Sequence, residues 1–80
     1  MEGFKIYPNP ANSEVFIEVN HPDAAVILLI DANGKLISTK QINNSIEKIN
    51  VSDFSSGIYS CQILNNKNTI IQSLKLNISK

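Results

Sequence analysis

The 80-residue chain has no arginine and no tryptophan, one cysteine, one histidine and three glycines. Each scarcity excludes something. Without arginine it lacks the side chain that grips phosphate, carboxylate or guanine with two parallel bonds. Seven lysines against seven acidic residues leave no net charge, so no electrostatic footprint for nucleic acid exists. A lone cysteine, Cys61, excludes an internal disulfide and a cysteine-rich zinc site. No apolar run approaches the roughly 18 residues of a membrane-spanning helix; the longest, Ala24 to Ile30, has the length of a strand. The opening Met1-Glu2-Gly3 has no basic start and no apolar segment behind it, unlike a secretory leader. Residues 1–3 read as linker or cloning residues ahead of one domain over 4–80.

What is present is a succession of short β-like runs divided by turn residues. Phe4 to Tyr7 makes a first strand, and Pro8-Asn9-Pro10 ends it. Each proline lacks an N–H and pushes the residue before it toward extended geometry. Ser13 to Val19 alternates, with Val15, Ile17 and Val19 on one face and Glu14 and Glu18 on the other. Ala25 to Ile30 is almost wholly apolar, the pattern of a strand covered on both sides. Lys35 to Ile42, Glu47 to Val51, Ile58 to Leu64 and Thr69 to Ile78 follow, the last with Ile70, Leu74, Leu76 and Ile78 in one phase. Seven strands without crossover helices predict an all-β fold, a seven-stranded immunoglobulin-like antiparallel β-sandwich.

The turns are the sharpest local signals. Asp31-Ala32-Asn33-Gly34 predicts a tight hairpin, with Asp31 accepting backbone N–H groups and Asn33-Gly34 tolerating positive φ. A calcium loop also begins Asp-x-Asn, but here the glycine comes two positions early and no glutamate stands at the twelfth position. Ser52 to Gly57 predicts one capped helical turn. Tyr59, two residues beyond Gly57, has the spacing of a tyrosine corner, whose hydroxyl bonds back to the chain.

Chemistry is sparse. His21 falls in the loop Asn20-His21-Pro22-Asp23 and reads as a solvated turn residue, and Cys61 reads as a small buried apolar residue. Ser52, Ser55 and Ser56 fit backbone capping. No glycine-rich loop leads from a strand into a helix. The sequence predicts no enzyme activity, no catalytic residue, no metal, no cofactor and no small-molecule substrate.

Taken in order, Tyr7-Pro8-Asn9-Pro10, Asp31-Ala32-Asn33-Gly34-Lys35, Asn50-Val51-Ser52, Ser56-Gly57-Ile58-Tyr59 and Leu74-Lys75-Leu76 resemble the C-terminal sorting domain of the type IX secretion system, type A. The likeness runs from about residue 6 to residue 80. Pro8, Asn9 and Pro10, preceded by Tyr7, match the family's opening motif. Asp31 and Gly34 match its hairpin, Gly57 and Tyr59 its Gly-x-Tyr motif, and Lys75 the lysine of its last strand. One departure is that no glycine-containing turn follows Asn68.

The resemblance implies a signal rather than a catalyst. Residues 4–80 would be a single sorting domain attached to an upstream cargo. Its partners would be translocon and sortase components of Bacteroidetes-type bacteria, and it would direct the cargo through the periplasm and outer membrane to the cell surface or medium. The competing readings are a fibronectin-like accessory or carbohydrate-binding module and a structural spacer. Sugar platforms usually display exposed aromatics, and of the five aromatics here Phe4, Tyr7, Phe16, Phe54 and Tyr59 mostly fall at packing positions.

Overall fold

The computed structural model describes residues 3–80. Seven strands are present: β1 (Gly3–Tyr7), β2 (Glu14–Asn20), β3 (Ala24–Ile30), β4 (Leu36–Gln41), β5 (Ile46–Asn50), β6 (Gly57–Asn65) and β7 (Ile70–Ile78). They form two antiparallel sheets, one ordered β1-β2-β5 and the other β4-β3-β6-β7. Gly3, grouped by sequence with the residues ahead of the domain, opens β1, whereas Met1 and Glu2 lie outside the described residues.

Period-two alternation fixes which face of each strand is buried. On β2, Val15, Ile17 and Val19 are buried while Glu14 is exposed. Ile27 and Leu29 of β3 and Cys61 and Ile63 of β6 bury toward the same core, which continues into Leu76 and Ile78 of β7. Fully burying one such aliphatic side chain stabilises the fold by about 1.5–3 kcal/mol. The inner faces of both sheets therefore close over a single apolar core.

Three expectations change. β3 is covered fully on one side only: Val26, Leu28 and Ile30 on its other face are half-buried. The phase along β7 is broken. Ile63 pairs with Gln72 but Leu64 pairs with Ile70, so Ile71 is an extra residue on β7. That bulge turns Ile70 outward, at 54% exposure, and lets Ile71 pack against the core. Finally, residues 52–56 form a turn and bends, not a helical turn, and Gly57 already opens β6. Asn50 does the capping there, its Oδ1 accepting from both the N–H and the hydroxyl of Ser52.

The two tightest hairpins are built alike. At the first, Asp31 Oδ1 accepts from Asn33 N–H and Lys35 N–H at 2.9 Å each, and Gly34 adopts φ +84°. At the second, Asn65 Oδ1 accepts from Lys67 N–H (2.8 Å) and Thr69 N–H (3.0 Å), and Asn68 adopts φ +62°. Asn68 thus fills the position that glycine fills in the first hairpin. Asparagine enters this left-handed region more readily than other residues with a β-carbon, so the glycine missing after Asn68 is not needed.

Candidate recognition site

The segment after β1 cannot continue as a strand, because Pro8 and Pro10 have no N–H to give. Asn9 between them pairs with β7 through its side chain. Its Nδ2 donates to Lys75 O at 3.0 Å and its Oδ1 accepts from Asn77 N–H at 2.9 Å. The backbone takes over two residues later: Ala11 N–H donates to Asn77 O (2.7 Å) and Ser79 N–H to Ala11 O (2.8 Å). Ala11 is completely buried. Residues 9–11 therefore close the edge of β7 from Lys75 to Ser79, where an open edge would otherwise invite another chain.

Beside this closure lies an open groove of about 430 Å³ lined by Asp31, Ala32, Ile58, Tyr59, Ser60, Ser73, Leu74 and Lys75. It sits at the end of the four-stranded sheet where the β3–β4 hairpin emerges. Register sets Ser60 opposite Lys75, and the hydroxyls of Ser60 and Ser73 lie 3.4 Å apart. Tyr59 reaches inward, stacking obliquely on Phe54 with ring centroids 5.8 Å apart and donating its hydroxyl to Ser55 O at 2.7 Å. Gly57, at φ +156°, opens β6 opposite Ile78.

The residues singled out by sequence thus divide. Asp31, Tyr59 and Lys75 line one groove, with Gly34 in the turn that presents Asp31, Gly57 at the start of the strand that carries Tyr59, and Asn9 bound to the main chain of Lys75. Pro8 and Pro10 flank that bond. Tyr7 is elsewhere: it stacks on Phe16 (5.8 Å) across the outer face of the three-stranded sheet and donates to Glu18 Oε2 at 2.8 Å. That bond to a carboxylate, aided by desolvation, raises the Tyr7 pKa.

Two residues carry more than their sequence context shows. Glu47 is only 5% exposed. Its Oε2 accepts from Asn43 N–H (2.7 Å) and Asn44 N–H (2.8 Å), and its Oε1 lies 3.8 Å from Lys40 Nζ. It therefore fixes the turn into β5 and links the edge strands of both sheets. Lys80 donates through Nζ to Val51 O (3.0 Å) and to Ser52 O, and through its backbone to Ser56 Oγ (3.1 Å). No local pattern would have revealed either set of partners.

His21 and Cys61 are both taken up in packing. His21, whose Nδ1 accepts from Asp23 N–H at 3.1 Å, stacks on Phe4. Burial pushes the Cys61 thiol up to about 12, which makes it a poor nucleophile. Among the described residues no group of three or more His, Cys, Asp and Glu side chains is placed to hold a metal ion.

The family model for the secretion system C-terminal sorting domain matches residues 5–77. No curated protein and no solved structure matches the chain. The match takes in the Asn9 closure, both hairpins, the Tyr59 turn and nearly all of β7. The chain therefore belongs to the secretion system C-terminal sorting domain family, as a sorting signal for type IX export across the outer membrane to the cell surface or medium.

Proposed function

We propose that the type IX machinery reads this signal as a folded domain, over a surface made by the last strand and the turns beside it. The observation that carries the reading is the Asn9 bridge to Lys75 and Asn77, residues 66 and 68 positions away. An extended peptide signal has no use for such a long-range lock, or for a buried core. In this reading Pro8, Asn9, Pro10, Gly34, Gly57 and Tyr59 hold the surface in shape, and Asp31 and Lys75 stand on it.

The finer architecture is an immunoglobulin-like sandwich. The strand orders β1-β2-β5 and β4-β3-β6-β7 correspond to A-B-E in one sheet and a G-F-C sheet extended by one strand in the other. The backward bond from Tyr59 to Ser55 O, near the start of the sixth strand, is the tyrosine corner of such sandwiches. Residues from the start of β1 to Lys80 act as the sorting unit, with cargo attached upstream. A surface sortase cuts ahead of β1 to remove it. The domain itself catalyses nothing and needs no cofactor.

Deleting residues 69–80 from a reporter fusion tests the central element, because it removes β7 and takes Leu76 and Ile78 out of the core. Export should be lost. Export that survives the truncation would sink the proposal.

A further inference from the structure

The two sheets present very different outer faces. Across the three-stranded sheet, Tyr7, Phe16 and Lys48 share a row, as do Lys5, Glu18 and Ile46, and Glu14 pairs with Lys48 at 3.5 Å. That face is charged, with opposite signs interspersed, as a solvated surface is.

The four-stranded sheet is not like this. The residues alternating outward on β3 are Val26, Leu28 and Ile30, and their partners on β4 are Gln41, Thr39 and Leu36. On β6 they are Gln62, Ser60 and Ile58, with Leu64 on the same side but buried. None is charged. Leu36, Ile58 and Ile70 stand at 51%, 50% and 54% exposure. Lys75 on β7 is the only charged side chain on the strands of this face, with Asp31 at its rim beside the groove.

Resting on the type IX reading above, we infer that the surface read by the machinery extends from β7 across this outer face as far as β4, and that its occupant is an aliphatic, charge-poor protein surface of the export machinery. Charge complementarity selects that occupant. A partner bringing ionised groups over β3, β4 and β6 would bury them unpaired, which desolvation strongly disfavours. A polyanion would find one lysine. Composition argues against a permanent second copy: Gln41, Thr39, Gln62 and Ser60 interrupt the apolar residues, whereas permanent interfaces are more continuously apolar. A weak, reversible encounter suits such a mixed face.

The test places charges on the face in the intact chain. Leu36→Lys, Ile70→Lys and Thr39→Lys each add one there, and Thr39→Lys deletes no apolar side chain. Ile46→Lys, at the 49% exposed position of the opposite face, is the control. Each is fused behind a reporter in a bacterium with a type IX translocon, and folding is checked by circular dichroism. The inference expects the three variants to stay folded and extracellular reporter to fall at least tenfold, with Ile46→Lys within twofold of wild type. Wild-type export that the three leave unchanged overturns the inference alone, and so does an equal loss in Ile46→Lys. A wild-type fusion retained inside the cell overturns the sorting reading and the inference together. A purified domain that dimerises, and is made monomeric by Leu36→Lys or Ile70→Lys, replaces the proposed occupant with a second copy and likewise overturns it.

Discussion

The side chain of Asn9 stands in for a strand against Asn77. Its Oδ1 accepts the Asn77 N–H at 2.9 Å, while its Nδ2 donates to Lys75 O at 3.0 Å. One carboxamide supplies the acceptor and the donor that a neighbouring backbone would have offered, in a segment where two prolines offer no donor. Asn9→Ala removes both bonds and leaves the exposed edge to water. At about 0.5–1.5 kcal/mol per bond, the loss should be about 1–2 kcal/mol in a denaturant melt. Asn9→Asp keeps the acceptor alone and should fall between the two.

The Tyr59 hydroxyl makes one bond, to Ser55 O at 2.7 Å, and its ring packs in the core against Phe54. Tyr59→Phe keeps the ring and should cost about 1 kcal/mol. Tyr59→Ala, which also empties the core position, should cost about 3–5 kcal/mol. Equal losses in the two variants would show that the hydroxyl matters more than the packing.

Glu47 is the buried carboxylate on which the turn into β5 depends. Glu47→Ala strands the N–H groups of Asn43 and Asn44 and leaves Lys40 facing the sheet edge without its partner. A loss of about 2–3 kcal/mol is expected from bonds to a charged group. Glu47→Gln, which can still accept at one oxygen, should recover part of it in the same melts.

The hairpin equivalence of Gly34 and Asn68 gives opposite predictions for similar substitutions. Gly34→Ala forces a β-carbon into φ +84° and should cost about 1–2 kcal/mol. Asn68→Gly should be neutral or slightly stabilising, and Asn68→Val should cost more than Gly34→Ala, since a branched side chain suits φ +62° least. Thermal melts of the three variants rank them.

Alkaline pH should weaken the fold through Cys61. Its thiol titrates at about 12 when folded and near ~8.5 when unfolded. Below about pH 8.5 both states hold the proton, so this contribution is constant. Between the two values only the folded state holds it, and stability falls by up to about 1.4 kcal/mol per pH unit. The raised Tyr7 pKa acts in the same direction. Urea melts from pH 8 to 11 should show a steeper decline for the wild type than for Cys61→Ala. Parallel slopes would contradict this.

All seven strands were legible because strand period and turn chemistry agree along the chain. Val15, Ile17 and Val19 alternate, Gly34 ends one hairpin, and the prolines at 8 and 10 stop β1. Aspects set by distant partners were not legible. Asn9 reads locally as a corner residue, and only tertiary contact shows it bound to β7. Glu47 reads as a polar strand residue until Lys40 from the other sheet is placed beside it. The bulge at Ile71 has no local signature, because Ile70 and Ile71 are identical neighbours in the chain, so the outward turn of Ile70 was hidden. The charge-poor outer face follows from register across four strands, and a single sequence does not show which residues stand side by side.

The claim that this fold is an export signal is tested most directly by fusing residues 3–80 behind a periplasm-directed reporter. The fusion is expressed in paired strains with and without a functional type IX translocon. The account predicts reporter at the cell surface or in the medium only when both the domain and the translocon are present. Reporter held in the periplasm of the competent strain, or released equally from both strains, would contradict it.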